Sequence, residues 1–236
     1  MRLITTWGAA PAFNMGLDEA LLLDQEAPPT LRLYSWSPDT LSLGYFQRFA
    51  AVPGARNAGA LVRRITGGGA IHHVNELTFS LTMPLSHPLY RGPIASSYGR
   101  VHASIANALA HFGIAAAPAA GRSLASDRSD TGMCFHHSTP ADLVWGGRKG
   151  VGSAQRRKHG RVLHHGSIKL GSSELEGDIA EVSAAADEKA LAQVLLECLA
   201  RDWNEEFNAA APTEEECANA DLLGPRYASA EFLQRR

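Results

Sequence analysis

The chain has 236 residues, 45% of them apolar and 19% charged, with a formal net charge of -2. That balance describes a globular protein with enough chain to bury a core. It excludes long disorder and any nucleic-acid surface built on bulk positive charge. No apolar run approaches the roughly 18 residues a membrane helix needs. MRLITTWGAAPAFN lacks the basic-then-apolar pattern of a secretory signal, so neither a membrane nor a nucleic acid is expected as a partner. Cys134, Cys198 and Cys217 are too few and too far apart for a disulfide framework or a zinc knuckle, which points to a reducing cytoplasm.

In chain order, Asn14 is placed to cap a helix through MGLDEALLLD, with Met15, Leu17, Ala20, Leu21 and Leu22 on its apolar face. TLRLYSW alternates Leu31, Leu33 and Ser35 against Arg32, Tyr34 and Trp36, as a strand does. TLSLGYF repeats the pattern after the turn Ser37-Pro38-Asp39. LVRRIT reads as a short strand broken by Gly67-Gly68-Gly69, and ELTFSLTM as another ending at Pro84. Residues 96–112 carry Val101, Ile105, Ala108, Leu109 and Phe112 at helical spacing. AAAPAAGRSLASDRSDTG is small and polar, a loop. ADLVWGGRKGVGSAQ reads as two strands around Gly146-Gly147, and RVLHHGSIKL as a further strand. Leu191, Val194, Leu195, Cys198, Leu199, Trp203 and Phe207 form a helical stripe. The order predicts one α+β domain over residues 1–236, with a mixed, largely antiparallel sheet and flanking helices.

Three segments could carry chemistry. In RRITGGGAIHH (63–73), adjacent glycines let backbone N–H groups approach an anion or oxyanion. Arg63 and Arg64, sequential on a strand, should face opposite sides. The plainer reading of this segment is a hairpin turn with two surface arginines. In GGRKGVGSAQRR (146–157), Lys149 could place charge on a reacting carbonyl, or could be a solvated hairpin lysine. In TGMCFHHS, Cys134 could be a nucleophile if approachable, or a small buried hydrophobe, as Cys198 on its apolar stripe should be. The pairs His72-His73, His136-His137 and His164-His165 point opposite ways on a strand, so no pair chelates one metal by itself; a zinc site would have to be assembled from different pairs, and none is expected.

Together these motifs resemble the lipoate–protein ligase A and octanoyltransferase family, relatives of the biotin protein ligases, from about residue 12 to about residue 170. NMGLDEALL is similar to the family's opening helix and LRLYSWSPDTLSLGYFQ to its first strand pair. RRITGGGAIHH is similar to the Arg-Arg-x-[Ser/Thr]-Gly-Gly-Gly signature. GRKGVGSAQRR with GRVLHHGSIKL resembles the catalytic lysine segment and the His-Gly-Ser strand after it. The resemblance implies a biotin/lipoate protein ligase-like core and an apolar acyl tunnel. It also implies catalytic Cys134 and Lys149, and substrate-binding Arg64, Gly67, Gly68, Gly69, His73, Gly152 and His165.

Two branches of the family differ in how the acyl group is activated. Octanoyltransferases take octanoyl from acyl carrier protein onto a cysteine and pass it to a lysine of a lipoyl-carrier protein, such as a glycine cleavage H protein or a dehydrogenase E2 lipoyl domain. They need no cofactor. Ligases instead use ATP and Mg to make a lipoyl-adenylate. Cys134-Phe135, fifteen residues before Lys149, resembles the transferase nucleophile, and NELTFS resembles a transferase stretch. The chain's end soon after the stripe helix is expected to leave no accessory domain. Two positions depart from the pattern. Val74 stands where the family usually has Asp, and Gly69 where transferases often have Arg. A non-catalytic acyl-binding module is a third reading, disfavoured by the presence of both Cys134 and Lys149.

Overall fold

The computed structural model describes residues 1–183 and 186–235. The chain forms β1 (Arg2–Ala9), α1 (Pro11–Leu23), β2 (Thr30–Trp36), β3 (Thr40–Leu43), β4 (Ala60–Arg63), β5 (Ile71–His73) and β6 (Glu76–Pro84). There follow α2 (Ile94–Ala110), β7 (Ala117–Pro118), β8 (Leu143–Trp145), β9 (Arg148–Lys158), β10 (Arg161–Lys169), α3 (Glu188–Trp203), β11 (Asn208–Ala209), α4 (Glu214–Ala228) and α5 (Ala230–Leu233). An eight-stranded sheet has the order β11-β1-β2-β6-β10-β9-β8-β7, and a three-stranded sheet the order β4-β3-β5. In the large sheet β1 runs parallel to β11 and β2, and every other neighbouring pair is antiparallel. This is the mixed, largely antiparallel α+β architecture that the order of elements predicts.

The two faces of the large sheet have opposite chemistry because side chains alternate along each strand. Leu31 and Leu33 of β2, Leu77, Phe79, Leu81 and Met83 of β6, and Val162 and Ile168 of β10 share one core. Val101, Ile105 and Leu109 of α2 and Leu191, Leu195 and Leu199 of α3 complete it. Cys198 belongs to this core, as its stripe predicts. The other face carries Arg32, Tyr34, Glu76, Thr78, Ser80, His165, Ser167 and Lys169, all buried. It is covered by α1 and by the three-stranded sheet, and its side chains hydrogen-bond to one another, as Ser80 and Tyr34 do to Asp18 and Thr78 and Ser167 to Glu76. Polar alternation in TLRLYSW therefore marks a buried polar layer, not a solvent face.

Several local expectations need correction. Helix α1 starts at Pro11, with Ala10 at the N-cap. Proline suits the first helical position because the N–H it lacks would have no partner there. Asn14 is thus inside the helix and buried. Its amide donates to Ser35 O (3.1 Å) and accepts from Arg32 Nη2 (3.2 Å). TLSLGYF is a strand only to Leu43, and β3 does not pair with β2. Instead the Ser37–Asp39 turn hands the chain from the large sheet to the small one.

The chain also continues into helices that apolar periodicity does not reveal. Helix α4 opens with a capping box, Thr213 and Glu216, a legible signal. It packs on α1 through a cluster of Leu17, Leu21 and Ala220, and Tyr227 donates to Glu19 (2.7 Å). No helix among the described residues is long and apolar enough to cross a membrane.

Candidate active site

The polar layer is organised around Asp18 of α1. Its carboxylate accepts from Ser80 (2.7 Å), Tyr34 (3.1 Å), His165 Nδ1 (3.1 Å) and the Arg32 guanidinium. Burial works to raise the Asp18 pKa, but Arg32 and the His165 hydrogen bond overcome it and hold the carboxyl below its usual range. Because His165 gives its Nδ1 proton to Asp18, its Nε2 accepts from Thr66 Oγ1, 2.6 Å away. Helix α1 is tied in this way to the residue that opens the glycine loop.

Arg63 and Arg64 do face opposite sides. Arg63 donates to Gly44 O (2.7 Å), Gln47 O (2.7 Å), Phe232 O (2.8 Å) and Leu233 O, which fastens the C-terminal segment. Arg64 donates to Ser42 O (2.9 Å), Gly67 O (2.8 Å) and Gly69 O (2.7 Å), drawing the glycine loop around its guanidinium. Burial pulls the Arg64 pKa down to about 10. Neither arginine is the surface residue of the plainer reading. Gly68 sits at φ +95°, where a side chain would be strained.

Gly69 has another reason to be glycine. A Cβ there would lie 2.7 Å from Cys134 N, 2.9 Å from its Cα and 2.9 Å from Gly132 O. The loop and the cysteine segment are clamped by two backbone bonds, Cys134 N–H to Ala70 O (2.7 Å) and Ala70 N–H to Gly132 O (2.8 Å).

Cys134 is half-buried and opens a single 3-10 turn, Cys134–His136. Lys149 rises from β9 beneath it, buried. Its ammonium donates to Cys134 O (2.9 Å) and His137 O (3.0 Å), pairs with Asp142 Oδ2 (2.8 Å), and lies 3.5 Å from Cys134 Sγ. Three oxygens thus engage its three protons while the charge stays beside the sulfur. Burial would lower the Lys149 pKa, but the charges of Cys134 and Asp142 outweigh burial and raise it. Gly152 makes room for this arrangement, because a Cβ there would come 2.9 Å from Lys149 Cε and 3.3 Å from Cys134 Sγ.

Cys134, Arg64, Gly67, Gly68, His73, Gly152 and His165 line one pocket with a largely apolar surface. Tyr34, Trp36, Met15 and Ile71 add apolar wall. Two residues expected at the site lie behind the wall. Gly69 buttresses Cys134, and Lys149 acts on the sulfur rather than on the pocket space. His73 stacks on Trp36, ring centroids 4.1 Å apart, and its Nδ1 donates to Glu76 Oε1 (2.6 Å). Lys169 holds Glu76 from the other side (2.8 Å). Asp18, Ser42 and Asp142 were not picked out from sequence. Only Asp142 left a usable signal, a carboxylate entering the hairpin that carries Lys149.

The lipoyl protein ligase A/B catalytic domain model matches residues 10–195. The octanoyltransferase LipM of Moorella thermoacetica is 36% identical across 100% of this chain and 98% of its own length. LipM of Kyrpidia tusciae is 41% identical and LipM of Bacillus subtilis 40%, each match covering 72% of this chain and 65% of that protein. A structure of protein Ta0514 from T. acidophilum with bound lipoic acid superposes with a TM-score of 0.79 at 22% identity, covering 100% of this chain and 99% of that one. Lipoate-protein ligase A bound with ATP gives 0.78 at 22%, covering 99% and 98%. The matched region contains the glycine loop, Cys134 and Lys149, and the chain belongs to the lipoyl protein ligase A/B catalytic-domain family.

Proposed function

We propose that the protein is an acyltransferase that moves an octanoyl group from acyl carrier protein, through a thioester on Cys134, to a lysine of a lipoyl-carrier domain. The observation that carries this reading is the Lys149 ammonium 3.5 Å from Cys134 Sγ, which lies at the wall of a largely apolar pocket. The sulfur beside that cation is the nucleophile of this reading, a thiol being far more nucleophilic than a hydroxyl. The sulfur attacks the donor thioester carbonyl, the carrier thiol leaves, and in this reading backbone N–H groups of the glycine loop stabilise the developing oxyanion. The acceptor amine then attacks the enzyme thioester and an amide forms. A thioester donor is already activated, so this chemistry uses neither ATP nor metal. Names of relatives at 36–41% identity agree with it.

Intact-mass spectrometry after incubation with octanoyl-acyl carrier protein, set against octanoate plus Mg-ATP, tests the reading. An octanoyl adduct on Cys134 with the carrier-bound donor is expected. Acylation of a lipoyl domain that requires ATP and leaves no adduct on the enzyme would establish the ligase instead.

A further inference from the structure

We propose that His73, working through the hydroxyl of Ser42, is the base that takes the proton from the acceptor lysine. The inference rests on the acyl-transfer reading and concerns its second half. A lysine reaches the enzyme as an ammonium, which has no lone pair to attack a thioester. Lys149 is not placed to accept that proton, because its ammonium is held by Asp142, Cys134 O and His137 O behind the pocket wall.

The pocket offers few other titratable groups. Arg64 is a cation, and Tyr34 gives its hydroxyl proton to Asp18. That leaves two imidazoles, each braced by a buried carboxylate. His165 Nε2 accepts from Thr66, whose side chain is buried and does not line the pocket. His73 Nε2 meets Ser42 Oγ at 2.8 Å, and Ser42 does line it.

The hydrogen-bond directions follow from the partners. Glu76 is an acceptor, so His73 Nδ1 carries the proton and Nε2 carries the lone pair. Ser42 Oγ accepts from Arg64 Nη1 (3.2 Å) and gives its own proton to His73. One lone pair of the hydroxyl is left for the pocket. Burial pushes the His73 pKa down, so the ring is neutral at neutral pH, with Nε2 free to accept, and it holds a proton only in passing. Glu76 raises its pKa, while Lys169 and Arg64 lower it. Asp39 and Glu188 line a second cleft that His73 also borders.

In the step, an ammonium N–H bond breaks as Ser42 Oγ takes that proton and passes its own to His73 Nε2. The freed lone pair forms the C–N bond. Collapse of the tetrahedral adduct breaks the C–S bond, whose electron pair returns to Cys134. The nitrogen's second proton goes to that sulfur, and His73 releases its proton to water.

The test isolates octanoyl-enzyme and follows its decay on mixing with a lipoyl domain, from pH 6 to 10, for wild type, His73→Gln and Ser42→Ala. General-base loss predicts transfer slowed by about 10²-fold or more in His73→Gln, with the deficit shrinking as pH rises and the acceptor amine ionises unaided. Ser42→Ala should follow the same pattern and guards against misfolding of the histidine variant. Hydroxylamine, an acceptor already neutral at neutral pH, should discharge the variants and the wild type at similar rates. Equal slowing of acylation, lysine transfer and hydroxylamine discharge would overturn the assignment in favour of a structural role. Unchanged lysine transfer in both variants would also overturn it. A wild-type enzyme that forms no octanoyl adduct removes the acyl-transfer reading itself, and this inference with it.

Discussion

Lys149 and Asp142 are buried together, and neither has water to fall back on. Breaking such a pair by removing one partner typically costs about 3–5 kcal/mol. Lys149→Ala should therefore lower both stability and acyl transfer, the latter by about 10²–10³-fold if its charge supports the reacting sulfur. The two effects can be separated. Lys149→Met combined with Asp142→Leu replaces the ion pair with apolar bulk and should recover much of the melting temperature without recovering adduct formation. Restored acylation in that double variant would show that the lysine matters only for folding. Cys134→Ser should give no adduct with octanoyl-acyl carrier protein, because a hydroxyl is a far weaker nucleophile than a thiol. The same variant acylating a lipoyl domain with lipoate and Mg-ATP would reject the transferase assignment. Residue patterning left Cys134 and Lys149 open between a chemical and a structural role, and the family resemblance selected them. Neither could show that the ammonium is saturated by oxygens, because His137 O and Cys134 O enter through the fold of a loop with no regular pattern.

The glycine loop and the cysteine turn act as one element, joined by backbone bonds between Ala70, Gly132 and Cys134. Gly69→Ala should displace that turn, since the new methyl would sit 2.7 Å from Cys134 N and backbone cannot swing away as a side-chain tip can. A shift near 1 Å at a reacting group costs on the order of 10²-fold in rate. The expected result is a folded enzyme with a melting temperature close to wild type and kcat/KM reduced to that extent. Full activity would mean the clamp is slack. The three consecutive glycines were legible as a special loop. The reason for the third was not, because it depends on a segment more than sixty residues later in the chain. Arg63 illustrates the same limit. Its four carbonyl partners come from the Gly44–Gln47 turn and from α5, and nothing local marks it as buried. Arg63→Ala should loosen both segments, read as fast amide exchange at Phe232 and Leu233. Protection there equal to wild type would show that α5 is held by its apolar contacts alone.

Across the whole molecule, one sheet face is apolar and the other is a buried polar layer, and this division explains which strands were easy to read. Strand β6 and helix α3 declare themselves because their apolar periodicity faces a greasy core. The polar layer looks like solvent-facing alternation until the covering sheet and helix are in place. Its consequence is a dependence of stability on pH. His73, His102 and His164 are buried, and burial is the largest cause lowering each of their pKa values from the ordinary 6.5. The unfolded chain therefore takes up protons that the folded chain refuses. Stability is complete above the unfolded histidine value and is lost as pH falls below it, by up to about 1.4 kcal/mol per pH unit for each such proton. Asp18 and Glu76, also held below their usual values, add a second loss at more acidic pH, once the unfolded carboxylates begin to protonate. Urea unfolding at pH 8, 7, 6 and 5 should show little change from 8 to 7 and a progressive fall from 7 to 5. His164, which accepts from Tyr90 (3.1 Å) and meets Ser153 Oγ (2.9 Å), is the most strongly shifted of the three. His164→Gln keeps a hydrogen-bonding side chain but cannot titrate, so it should lower stability at pH 8 and make the slope between pH 7 and 5 shallower. Stability that stays flat from pH 8 to 5 in the wild type would mean that these imidazoles reach water in the folded chain.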